Sequence, residues 1–153
     1  MPKQSLTQKA SDNPYFHKDF HIAFNYGIEY IHKKFGEEAV REYLIQFARS
    51  LYAPLMKAIK ETGLVAIKDH YERIYKIEGA DFDMDYSEDE LIIRLSSSPA
   101  VMYIKSNGYV VSQLFSETVD AVNKTICESS QYEFEMLEYK EENGAYILRF
   151  YKK

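Results

Sequence analysis

The sequence predicts an α+β fold: N-terminal helices plus a four-stranded antiparallel sheet made of two hairpins separated by a long helix. Three observations predict it. Apolar residues recur at three- and four-residue steps through the first half of the chain. At residue 81 the period changes from 3.6 to 2. Two alternating stretches, beginning DFDMDY and YEFEMLEY, are then each followed by a turn signal and a second apolar strand.

Residues 1–11 are polar and aperiodic, which predicts an arm lacking order, followed by a single domain over 12–153. Asp12 or Asn13 offers an N-cap, with Pro14 suited to the first helical position. Phe16, Phe20, Ala23, Phe24, Gly27, Ile28, Ile31 and Phe35 mark one face of a helix that Gly36 closes. Glu37 and Glu38 open a second helix at the positive end of its dipole, with Val40, Leu44, Phe47 and Ala48 in its stripe. Pro54 predicts a kink or break near Tyr52–Ala53. The pattern resumes to Gly63, and a further helix carries Leu64, Ile67, His70, Tyr71, Ile74 and Tyr75 before Gly79.

In DFDMDY, Phe82, Met84 and Tyr86 share one strand face and Asp81, Asp83 and Asp85 the other; Leu91, Ile93 and Leu95 continue the apolar face beyond the turn. The acidic run is not a calcium loop, because an EF-hand starting at Asp81 needs Gly and Glu where the chain has Tyr86 and Ile92. Pro99–Lys105 predicts a short helix, and Val111 to Ile126 a long amphipathic one ending at Cys127. Asn143-Gly144 is the turn signal of the second hairpin.

Composition narrows the function. The 153 residues carry a formal net charge of −5 without a basic block, which argues against nucleic acid and against an anionic membrane surface. One cysteine excludes an internal disulfide and fits a reducing compartment. No apolar run approaches the ~20 residues of a membrane span, and no apolar leader is visible, so a cytoplasmic location is expected. Fourteen tyrosines are too many to be core alone, since a buried hydroxyl needs a partner. Some are expected in a pocket or a homodimer interface.

His17 and His21 sit one helical turn apart and face the same way. They lack the intervening Glu of a metalloprotease helix, so a pair bordering a ligand pocket or a helix contact is favoured over a zinc site, and no metal or cofactor is expected. Cys127 is read as a small buried hydrophobe at a helix C-terminus, where the dipole raises a thiol pKa; as a nucleophile it needs a histidine brought close by folding. Asn25, Tyr26, Tyr30, His70, Tyr71, Tyr75, Glu78, Tyr103 and Tyr109 interrupt aromatic faces and are candidates to line a cavity for a small molecule.

NPYFHKDFHIAFNYGIEYIHKKFGEEAVREYLIQFARSLYAPL resembles the opening of the bacterial L-2-amino-thiazoline-4-carboxylic acid hydrolase family. DHYERIYKIEGA, SSSPAVMYIKSNGY and ICESSQYEFEMLEYKEENGAYILRFYKK resemble its later segments, so the likeness spans about residues 13–153. It implies opening of a cyclic amidine by water to give N-carbamoyl-cysteine. A fainter similarity, to 4-vinyl-reductase-like domains with a cysteine near the final hairpin, implies a small-molecule-binding or sensor module instead. For the hydrolytic chemistry the candidate parts are His17, His21 or His70 as base and Cys127 as nucleophile, with Arg73 or Arg94 for a substrate carboxylate. Asn25, Tyr26, Tyr71, Tyr75 and Tyr103 complete the expected ligand site. A hydrolase of a small cyclic amidine or amide is the leading reading, with a non-catalytic binding module and a homodimeric interaction protein as the alternatives.

Overall fold

The computed structural model describes residues 18–153. The expected arm over 1–11, the caps at Asp12 and Asn13, Pro14, Phe16 and His17 lie outside the described residues. Six helices and four strands follow, in the order α1 (Asp19–Phe35), α2 (Glu37–Leu51), α3 (Ala53–Thr62), α4 (Leu64–Glu78), β1 (Phe82–Tyr86), β2 (Glu90–Leu95), α5 (Pro99–Ser106), α6 (Glu117–Cys127), β3 (Tyr132–Tyr139) and β4 (Tyr146–Lys152). This is the α+β architecture of the sequence reading, with two antiparallel hairpins flanking two helices.

Helix α2 shows why the chain folds as it does. Val40, Leu44 and Ala48 recur every four residues and are all fully buried, so one stripe of the helix meets the core. Side chains of this kind contribute about 1.5–3 kcal/mol each on burial, alanine less. Pro54 breaks α2 from α3 and does not kink one long helix: α3 takes Pro54 into its first turn, where the missing N–H costs no hydrogen bond. Helix α4 stops at Gly79, which holds φ 67°, and the amide of Ala80 then reaches back to the carbonyl of Tyr75 at 2.9 Å.

One expected boundary moves. Helix α6 begins at Glu117; residues 111–112 are irregular and residues 113–116 form a turn. The amide of Ser112 donates to Asn25 Oδ1 at 2.8 Å, and its hydroxyl accepts from the amide of Leu114. These side-chain bonds give the backbone an alternative to a helical turn. The apolar spacing of Val111, Leu114 and Phe115 imitated a helix because Leu114 and Phe115 are buried from the turn itself.

The strands pair in the order β1-β2-β4-β3. Their register builds three rows across the inner face. Tyr86, Leu91, Phe150 and Phe134 form one, and Met84, Ile93, Leu148 and Met136 the next. Phe82, Leu95, Tyr146 and Tyr139 form the third. The last row requires an irregularity. Between Met136 and Glu138 the register shifts, and half-exposed Leu137 is the extra residue. Strict alternation from Met136 would turn Tyr139 outward; the bulge returns it to the inner face.

The outer face is ionic. Arg94 bridges Asp83 and Asp85 at 2.9 Å each, and Arg149 pairs with Glu90 at 2.7 Å. The alternating acidic strand is therefore a solvated face. Among the described residues no helix is long and apolar enough to cross a membrane.

Candidate functional site

Leu95, Tyr146 and Tyr139 of the third row face a cavity of about 960 Å³ between the sheet and helices α1–α6. Helices α1 and α2 supply Phe20, His21, Phe24 and Phe47, and the α2–α3 junction supplies Tyr52. Helix α4 contributes the most polar wall, with Asp69, His70, Tyr71, Arg73, Tyr75 and Glu78. Leu95, Tyr139 and Tyr146 close it from the strands.

Much of this wall is one run of rings. Phe20, Phe24, Phe47, Tyr52, His70, Tyr71 and Tyr75 follow one another with centroids 4.9–6.3 Å apart. The break at Pro54 matters here, because it ends α2 where Tyr52 meets His70 edge-on. At the second hairpin, Gly144 sits at φ 72° against Ser98 and Val101, with space for no Cβ. The Ser98 amide donates to the carbonyl of Asn143 at 2.8 Å, which ties that turn to the start of α5.

The polar groups are satisfied in pairs. The hydroxyls of Tyr75 and Tyr146 share a hydrogen bond. Tyr71 donates to Asn123 Oδ1 at 2.6 Å, and the Asn123 amide donates in turn to the carbonyl of Val119. His21 Nε2 lies 3.8 Å from Glu78 Oε1, and both side chains are mostly buried, at 13% and 9% exposure. The His21 pKa is lowered by burial. His70 is pulled down to about 4, chiefly by burial and then by Arg73. Both imidazoles are therefore neutral near pH 7. The phenols of Tyr52, Tyr75 and Tyr146 are raised by burial, and the charge of Glu78 adds to the effect in all three.

Of the candidates read from sequence, His21, His70, Tyr71, Arg73 and Tyr75 converge on this cavity, and so does Glu78. Cys127 does not line it. It is 3% exposed at the end of α6, and burial pushes its thiol up to about 12. The expected direction is right, but burial is its leading cause, and Glu128 is engaged by Arg49 at 2.8 Å.

Asn25 is buried for a structural purpose, bonding the Val110 carbonyl and the Ser112 amide. Tyr26 is exposed and meets Tyr109 edge-on, while Tyr103 lies outside the cavity and donates to Asp19 at 2.8 Å. Tyr30 stands in solvent under Lys34. Arg94 points to the ionic face of the sheet, a placement the alternation of Leu91, Ile93 and Leu95 already contains. His17 lies outside the described residues. Among those residues no three His, Cys, Asp or Glu side chains converge as metal ligands.

Sequence reasoning missed Tyr52, Tyr139 and Tyr146 as cavity residues. Tyr146 carried a usable signal, an inward strand position bearing a hydroxyl. Tyr139 carried none, because its facing depends on the bulge. Compared with known proteins, the chain matches no family model and no curated relative.

Proposed function

We propose that this protein is a small-molecule-binding domain whose ligand occupies the cavity beside the third row of the sheet. The observation that carries the reading is the cavity itself: about 960 Å³, walled by contiguous rings, with a few polar groups gathered on α4. That combination suits a compact molecule with an apolar body and one or two polar ends. The test is a ligand-observed NMR screen of aromatic and heterocyclic fragments against wild type and Ala66→Phe, which fills the wall. Binding lost in the variant, with its melting temperature retained, supports the reading. Binding that ignores the substitution sinks it.

A second reading is favoured by the His21–Glu78 approach. A neutral imidazole beside a carboxylate in an apolar site can take a proton from water, and the carboxylate then stabilises the imidazolium. On a cyclic thiazoline amidine, the class implied by the family resemblance, water oxygen bonds to the amidine carbon. The carbon–sulfur bond breaks, and the departing thiolate recovers the proton from His21, giving N-carbamoyl-cysteine. Arg73, exposed at the rim, suits a substrate carboxylate. Cys127 has no role in this scheme. Incubation with L-2-amino-thiazoline-4-carboxylate should then yield N-carbamoyl-cysteine with wild type and Cys127→Ser but not with His21→Ala. No product from wild type removes hydrolysis and leaves the binding domain.

A further inference from the structure

Among the described residues every buried side-chain oxygen has a hydrogen-bond partner, yet the hydrogens do not divide evenly. Tyr75 and Tyr146 both line the cavity, at 3% and 7% exposure, and their hydroxyls bond to each other. A hydroxyl carries one hydrogen and two lone pairs, so one hydrogen serves that bond and the other is left over. No further group among the described residues accepts it. Tyr71, on the same helix, is the contrast: its hydrogen goes to Asn123 Oδ1 at 2.6 Å. Burial raises both phenols of the pair, so each keeps its proton near pH 7. Tyr52 and His70 share the wall but are only half-buried, where an unpaired polar group costs less.

We infer that the ligand of this cavity is an uncharged carbonyl compound whose oxygen accepts the spare hydrogen of the Tyr75–Tyr146 pair and whose apolar body lies along the ring wall. This rests on the binding reading and deepens it by naming a ligand class. A molecule that fills the chamber keeps water from the pair, so one without an acceptor leaves a buried O–H unpaired. A carbonyl oxygen suits the task because it stands out from the ligand body and accepts over a broad range of directions. A carboxylate accepts as well, but burying it requires a cation beside it. Among the described residues the one Lys or Arg on the wall is Arg73, which is exposed. It lies two positions from Tyr75 in α4, and side chains at that spacing do not face each other.

The experiment titrates three probes of nearly equal size by NMR: acetophenone, α-methylstyrene, which carries a methylene in place of the carbonyl oxygen, and benzoate. The two neutral probes differ in hydration before they bind, so the quantity read is the ratio of their affinities, compared between proteins. The double variant Tyr75→Phe/Tyr146→Phe removes donor and acceptor together and leaves neither unpaired, so the fold should hold. It should lower the ratio of acetophenone to α-methylstyrene binding by about tenfold, whereas Tyr52→Phe should change it by less than about twofold. In the wild-type protein the carbonyl stretch of bound acetophenone should also fall below its position in hexane, a readout that serves if the double variant fails to fold. An unchanged ratio, an unshifted stretch, a drop that follows Tyr52→Phe instead, or benzoate binding more tightly than acetophenone overturns the carbonyl compound and leaves the binding domain standing. If acetophenone does not bind, the carbonyl class falls, and the fragment screen judges the binding reading alone. If both neutral probes bind and Ala66→Phe leaves their binding intact, both readings fall together.

Discussion

The two ends of the sheet's inner face are built from the same four strands and do opposite things. At one end Leu91, Phe150 and Phe134 meet in a row with Phe134 and Phe150 centroids 5.1 Å apart, and Leu91 and Phe150 fully buried. At the other, Leu95, Tyr146 and Tyr139 wall a chamber between the sheet and the helices. What separates them is the chemistry of the inward side chains. A phenol cannot bury its oxygen against aliphatic atoms without a partner, so Tyr146 turns to Tyr75 and Tyr71 to Asn123. Helix α6 repeats the contrast along its own length. Its first half offers Thr118, Val119 and Val122 to the chamber, and its last residue, Cys127, lies buried outside it.

The largest effect that would sharpen this comparison is a rate. If Cys127 belongs to the sealed region, iodoacetamide at pH 8 should label the native thiol at least about a thousandfold more slowly than the unfolded one, since a pKa near 12 leaves little thiolate. Labelling within tenfold of the unfolded chain would place Cys127 in an accessible site. Next, Phe150→Ala at the packed end should cost about 3–5 kcal/mol in urea denaturation, whereas Tyr139→Ala at the chamber end, where a void already exists, should cost less than half as much. Equal losses would erase the distinction between the ends.

The third effect depends on pH. His70 titrates near 4 in the folded protein and near 6.5 unfolded, so between those values the unfolded chain binds more protons. Stability therefore rises with pH through that window and is lost on acidification, by about 2 kcal/mol between pH 7 and 4.5. His70→Gln should remove that share of the slope in paired denaturation curves, and an unchanged slope would refute the burial of the imidazole. The smallest effect is on the outer face: Arg94→Ala should shift stability by less than about 1 kcal/mol, because its partners Asp83 and Asp85 are exposed.

Sequence legibility followed the same division. The packed end was readable because its residues obey one rule: apolar at the helical or strand period, hence inward. Leu44, Ile67, Leu91 and Leu148 all do so. Arg94 was equally readable from its strand phase. The chamber was only half readable. His70, Tyr71 and Tyr75 share one face of α4, but the approach of His21 to Glu78 joins residues 57 positions apart in sequence through helix packing. Asn25 misled because a buried amide bonding a distant loop has the same local signature as one awaiting a ligand. Residues 111–116 misled because a turn can bury Leu114 and Phe115 at helical spacing.

The bulge at Leu137 has a consequence for how this strand can change over evolutionary time. Because Leu137 stands outside the pairing of Met136 with Leu148 and Glu138 with Ile147, deleting it alters no facing pair. An insertion or deletion at that one site leaves Tyr139 against Tyr146, whereas the same event at Phe134 would shift the pairing along the strand. Strand β3 thus carries a tolerated point for length variation between the part that holds the core and the part that walls the chamber.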